Sequence, residues 1–306
     1  MSRLPLIALM FLAPLGAQER PKILGVAHIA LNVSDIEESR AFYKNFLAYG
    51  EPFLLETDGN LNLTFIKVND HQYIELFPGL DPKEDRLRHI SVYTDDVDAM
   101  RVYLGSRGYK VPAKTPKGRI KNSNFTIRDP DGHGVEFVTY EPDGWSMRDR
   151  GKAMSEQRVS KRILHLGILV GSLGKSMEFY RDVLGFEEIW RGASRTSDAL
   201  SWVNMRVPDG EDYLEFMLYD EEPAPDQRGV KHHICLEVDD VADAVRRLKE
   251  RPYIAEYGRE LEIKTGVNRK RQVNLYDPDG TRVEVMESRT VDGKPASSST
   301  LAPPRP

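Results

Sequence analysis

Four histidines open four similar apolar alternations: His28-Ile-Ala-Leu-Asn-Val, His89-Ile-Ser-Val-Tyr-Thr, His165-Leu-Gly-Ile-Leu-Val and His233-Ile-Cys-Leu-Glu-Val. Four glutamates sit inside four further apolar runs: Tyr73-Ile-Glu75-Leu-Phe77, Gly134-Val-Glu136-Phe-Val138, Tyr213-Leu-Glu215-Phe-Met217 and Arg282-Val-Glu284-Val-Met286. His28 stands as far ahead of Glu75 as His89 stands ahead of Glu136. The second half repeats the arrangement, at a slightly longer interval, from His165 to Glu215 and from His233 to Glu284. Alternate residues of a strand share a face, so each carboxylate lies on a face with aromatic or apolar neighbours, where an unpaired charge is costly to bury. A divalent cation resolves that cost. Neutral imidazole nitrogen and carboxylate oxygen suit Zn, Mn, Fe, Co or Ni as divalent ions, one or two per chain, and leave open positions for water or substrate.

The elements that must position these groups follow the same repeat. Three of the four histidine strands lead to an Asp or Ser able to cap a helix, and helical stretches follow: Ile36 to Leu47, Val97 to Leu104, Lys175 to Leu184 and Val241 to Leu248. Two of these carry a Phe-Tyr step, Phe42-Tyr43 and Phe179-Tyr180, read as helix-to-sheet packing. Two tight turns, Asp129-Pro130-Asp131-Gly132 and Asp277-Pro278-Asp279-Gly280, precede glutamate strands and signal hairpins. The unit is one strand, one helix and about three strands, occurring four times, which gives an α+β fold of two tandem domains. Residues 23–140 and 161–288 form the domains. The polar stretch 141–160 is expected to be a linker, and 289–306, rich in Ser, Pro, Ala and Thr, a disordered tail.

Together these motifs resemble the vicinal oxygen chelate superfamily, which includes glyoxalase I, bleomycin-resistance and fosfomycin-resistance proteins, methylmalonyl-CoA epimerase and extradiol dioxygenases. The resemblance covers most of the chain and rests on ordered fourfold repetition rather than on any one motif. It implies a pair of βαβββ modules curled around each metal cleft. Carried over residue by residue, it implies a first ligand set of His28, Glu75, His89 and Glu136, and a second of His165, Glu215, His233 and Glu284. It also implies lyase or isomerase-like chemistry, in which a metal chelates substrate oxygens, an enolate forms and a glutamate acts as base: Glu136 or Glu284, with Glu75 or Glu215 as the other candidates. Two alternatives are an extradiol-type dioxygenase and a non-catalytic small-molecule binder of the resistance type. Ring cleavage is disfavoured because 121–128 and 268–276 lack the additional histidine of the extradiol pattern, and sequestration because every ligand position is kept.

Other features bound the reading. The chain of 306 residues has 43 basic against 48 acidic side chains and a net charge of −5, which disfavours general nucleic-acid binding. One cysteine, Cys235, excludes a disulfide framework or a Cys-rich metal site and is expected to be buried packing. Residues 1–17 have a basic start, an apolar run too short to span a bilayer and a small-residue stop. They are expected to be a signal peptide, with 18–22 an N-terminal extension and the mature protein periplasmic or secreted. Glutathione-linked detoxification is mainly a cytoplasmic task, so export points to a different substrate. His232 should face away from His233, while His71 and His133 fit solvated turns. Basic loops at Lys114–Lys121 and Arg269–Arg271 suit a solvated edge or contact with an anionic group of a small-molecule substrate. A monomer or a homodimer is compatible with the fold.

Overall fold

The computed structural model describes residues 19–305, so the expected signal peptide lies outside the described residues. The first sheet comprises β1 (Ile23–Val33), β2 (Gly50–Thr57), β3 (Asn60–Lys67), β4 (Tyr73–Pro78), β5 (Leu87–Thr94), β6 (Ser123–Arg128) and β7 (Gly134–Thr139). Their order is β2-β3-β4-β1-β5-β7-β6. The second comprises β8 (Ile163–Val170), β9 (Glu187–Gly192), β10 (Trp202–Arg206), β11 (Tyr213–Leu218), β12 (His233–Val238), β13 (Ile263–Thr265), β14 (Lys270–Tyr276) and β15 (Arg282–Thr290), ordered β13-β14-β15-β12-β8-β11-β10-β9. Two modules meet in each sheet through its central antiparallel pair, β1 with β5 and β8 with β12. This is the expected α+β architecture of two tandem domains.

One module departs from the repeat. Between β5 and β6 the expected extra strand shrinks to a single bridge, Lys117 with Ser123. Pro112 and Pro116 precede it, and proline cannot donate to a sheet ladder.

Helix α1 (Ile36–Ala41) starts where the Asp35 carboxylate accepts from the Glu37 and Glu38 amides, at 2.9 and 3.0 Å. Asp96 caps α2 (Val97–Ser106) and Asp240 caps α5 (Val241–Lys249) in the same way, whereas Ser172 makes no side-chain cap for α4 (Leu173–Met177). Both Phe-Tyr steps lie in π turns, Phe42–Phe46 and Glu178–Val183.

These π turns do more than pack on their own sheet. The Tyr43 hydroxyl donates to Asp277 at 3.1 Å, and Tyr180 donates to Asp129 at 2.9 Å. Each Asp-Pro-Asp-Gly turn is therefore clasped by the helix of the other domain, and Asp131 also accepts from the Gly171 amide and the Ser176 hydroxyl. Phe42 and Phe46 pack on Tyr253 and Tyr257, so a single apolar core runs through both domains.

Asp277 is fully enclosed in this clasp, and burial pushes its carboxyl up to about 7 from an ordinary 3.8. A raised acid favours the fold while protonated, and that contribution is lost as pH climbs through about 4 to 7. Asp277→Asn, which mimics the neutral form, should raise the melting temperature by a few degrees at pH 8 and by nothing at pH 4, measured by calorimetry.

One expectation is corrected. The C-terminal stretch does not trail away as a disordered tail. β15 continues to Thr290, and Ser299 and Ala302 hydrogen-bond to Arg191 and Leu200. β9 is an edge strand whose free backbone groups offer that pairing. The 141–160 stretch lies between the two domains and is packed rather than free. It forms α3 (Trp145–Arg148), and Asp149 at its end meets the buried Lys67 ammonium at 2.9 Å.

Candidate metal centres and their cavities

Register explains how distant residues converge. His28 on β1 lies opposite Tyr73 of β4 and Ser91 of β5, and Ala30 lies opposite both Glu75 and His89. His89 and Glu75 are thus diagonal neighbours of His28 on one face. Glu136 pairs with Ser91 and joins them from β7. In the second sheet, Gly167 lies opposite both Glu215 and His233, and Cys235 lies opposite both His165 and Glu284. Period two and one shared face bring each set of four together.

The distances are nearly the same in the two sheets. Nε2 of His28 is 3.0 Å from Nε2 of His89, and each lies 3.5 Å from Glu136; Glu75 is 3.7 Å from His28 and 3.9 Å from His89. Nε2 of His165 is 3.0 Å from Nε2 of His233, with Glu284 at 3.4 and 3.8 Å and Glu215 at 3.9 and 3.4 Å. Donors held at about 2.0–2.2 Å from one ion stand about 3 to 4 Å apart, so both sets fit a single divalent cation. His28, Glu75 and His89 offer ligand atoms that all lie within 4.8 Å of one another, and so do His165, His233 and Glu284.

The electrostatics of the two centres differ. Burial raises the Glu75 carboxyl well above its ordinary range and pushes Glu136 up to about 8. It also lowers His28 strongly and His89 to about 4. At the first centre, then, desolvation dominates the carboxyl shifts. In the second, burial again works to raise the carboxyls. The His165 hydrogen bond and the Arg282 charge overcome it and hold Glu284 down to about 2, and Glu215 is held low through His233.

Each centre opens into a cavity. That of the first is about 250 Å³, walled by Leu55, Leu63, Phe65, Tyr73, Phe77 and Tyr140. Ile120 from the first basic loop and Ser146 of α3 also reach it. The loop's cations are engaged elsewhere, Lys117 with Asp143 and Arg119 with the Glu56 carbonyl. In the second basic loop Arg269 pairs with Asp292 and Arg271 with Glu287, so its arginines form a solvated edge. The second cavity is about 310 Å³ and carries Trp190, Trp202 and Arg282.

The remaining histidines stand apart from both centres. His232 faces away from His233, as expected, toward Asp85 at 3.0 Å. His71 and His133 are partly exposed: His71 stacks on Tyr93, and His133 bonds Asp129 at 2.9 Å. Cys235 is buried and free.

Paired βαβββ modules, each pair converging two imidazoles and two carboxylates on a concave face, define a class of cation-chelating cleft proteins. The family model for the Glyoxalase/Bleomycin resistance protein/Dioxygenase superfamily matches residues 25–137 and 162–285, and the chain belongs to that superfamily. It is 24% identical over 289 residues to glyoxalase I of Saccharomyces cerevisiae, covering 84% of this chain and 83% of that one. A lactoylglutathione lyase of Neisseria meningitidis is 28% identical over 147 residues, 43% of this chain and 94% of its own. Among solved structures, the 2,3-dioxygenase LapB from Pseudomonas sp. KL28 superposes with a TM-score of 0.65 at 18% identity, covering 92% of this chain and 98% of its own. The Mn(II)-bound glyoxalase from Novosphingobium aromaticivorans gives 0.64 at 18%, covering 92% and 88%. The likeness to these solved structures is one of fold.

Proposed function

We propose that the protein is a metal-dependent enzyme of the glyoxalase type, a lyase or isomerase that removes a proton beside a substrate carbonyl. The observation that carries this reading is the convergence, twice, of two imidazoles and two carboxylates within cation-ligating distance on a cavity floor. His28, Glu75, His89 and Glu136 would hold one divalent ion, and His165, Glu215, His233 and Glu284 the other. The ion, once bound, polarises substrate oxygens as a Lewis acid. Glu136 and Glu284 act as the bases that accept the proton. Each borders a cavity as well as the imidazoles, so it can reach a substrate atom while three donors remain in place. The aromatic walls exclude water from the reacting atoms. If residues 1–17 direct export, the substrate is a small molecule other than a glutathione conjugate.

Metal analysis of the purified chain should find close to two divalent ions, with full loading after reconstitution; less than about one, with no gain on reconstitution, would sink the proposal. Deuterium exchange at the α-carbon of hydroxy- or keto-acids in heavy water supports the proton-transfer route. Oxygen uptake with catechols would instead identify the dioxygenase alternative.

A further inference from the structure

The residue two places before each closing glutamate shares its face, and these four residues are not alike: Tyr73, Gly134, Tyr213 and Arg282. Each stands beside a histidine of the neighbouring parallel strand. Tyr73 lies opposite His28, Tyr213 opposite His165 and Arg282 opposite His233. Gly134 occupies the place beside His89 and leaves it no room for a side chain, since a Cβ there would fall 2.9 Å from the His89 Cβ. The two centres therefore differ at one matched position, glycine in the first and arginine in the second.

Among the described residues Arg282 makes no direct ion pair where it sits, although its charge acts on Glu284. Its Nη2 lies 2.8 Å from Nδ1 and 3.0 Å from Nε2 of His233, a contact with an imidazole that offers no counter-charge. Its Nε is buried without any hydrogen-bond partner, an unmet donor on a side chain that borders the cavity. The other cations of that cavity are less available or peripheral: Lys264 is paired with Glu262, and Arg195 lies among exposed residues. Trp190 and Trp202 supply two aromatic surfaces. The first cavity offers no equivalent, because its one guanidinium, on Arg119, is committed to the Glu56 carbonyl.

A carboxylate is the complement of this arrangement. Its two oxygens accept from Nε and Nη2 together, in the bidentate geometry that Arg favours. Rotation of the guanidinium off the His233 ring toward the cavity satisfies the unmet donor and removes a positive charge from beside a proposed metal ligand. We propose that the second centre is specific for ligands bearing a carboxylate, seated on Arg282 with an aromatic or apolar body against Trp190 and Trp202, while the first centre takes uncharged ligands. The inference rests on the functional reading above but concerns Arg282, and it can be tested without metal.

The chain has three tryptophans, so Trp145→Phe leaves fluorescence that reports only on the second cavity. In that background, mandelate and its uncharged counterpart 1-phenylethane-1,2-diol are titrated into manganese-loaded and into chelator-treated full-length protein. Mandelate should quench saturably and bind roughly tenfold or more tighter than the diol. Arg282→Met should remove that preference and leave diol binding unchanged, whereas Arg282→Lys should keep part of it. Manganese uptake at the first centre verifies that each variant is folded. Equal binding of acid and diol, undiminished mandelate binding in Arg282→Met, or no saturable quenching by mandelate overturns the proposal. A chain that takes up no manganese but still prefers mandelate through Arg282 would overturn the metalloenzyme reading and leave this one standing.

Discussion

Turnover in a Glu136→Gln, Glu284→Gln double variant falls by about 10²- to 10⁴-fold, the range expected when a positioned general base is removed. Glutamine is nearly isosteric with glutamate. The apolar packing around β7 and β15 therefore persists, and the melting temperature should move far less than the rate. An amide oxygen can still face a cation but cannot accept the substrate proton at neutral pH. Each single variant leaves one complete centre, so each should retain turnover of the substrates that the other centre takes. If Arg282 sets carboxylate specificity, Glu284→Gln selectively loses the carboxylate substrates and Glu136→Gln the uncharged ones. The rate is read as α-proton exchange in heavy water, with metal content measured beside it, so loss of the base is separated from loss of the ion. Full activity in the double variant would show that the proton goes elsewhere. Glu75 and Glu215 are then the carboxylates to test, since they complete the same clusters.

How far the chain could be read in advance depended on whether a feature is periodic. The eight histidines and glutamates were legible because a strand alternates faces, and repetition of the spacing fixed which strands must be neighbours. Arg282 obeys the same periodicity, being two residues from Glu284, but Tyr73, Gly134 and Tyr213 hold the matched positions, so repetition carries no signal for it. Features that depend on tertiary contact left no local signal. The Asp-Pro-Asp-Gly turns read as hairpins, which they are, but Tyr43 meets Asp277 across 234 residues of sequence. Trp145 was the one hint that the stretch after the first domain is not a free linker: a large aromatic in a polar segment needs a surface, and it finds Phe53 at 5.7 Å. The C-terminal tail is ordinary in composition for disorder, and its attachment to β9 depends on an edge that only the assembled sheet presents.

The contrast between the two centres should be most visible in how cation binding responds to pH. At the first, Glu136 is pushed up to about 8, so its carboxyl holds a proton at pH 6 in the metal-free chain, and burial also raises Glu75. Ligation needs the carboxylate, so uptake of a cation expels that proton and is favoured as pH rises. Affinity should climb about tenfold per pH unit for each proton released, from near pH 5 up to about 8, and then level off. The imidazoles add nothing to this slope, because His28 is lowered and His89 lies at about 4; both are already neutral. At the second centre the sign of the carboxyl shifts is reversed. Glu284 is held to about 2 and Glu215 is also lowered, while His233 lies at about 4, so their ligating forms exist across the same interval. Manganese binding there should depend on pH less steeply than at the first centre. His165→Ala with His233→Ala isolates the first centre, and His28→Ala with His89→Ala the second. Calorimetric titration of each in buffers of different ionisation enthalpy counts the protons released. Equal slopes at the two centres would mean that Arg282 does not set their electrostatic difference. A slope at the first alone would support the reading that burial dominates one site, while imidazole hydrogen bonds together with the Arg282 charge offset it at the other.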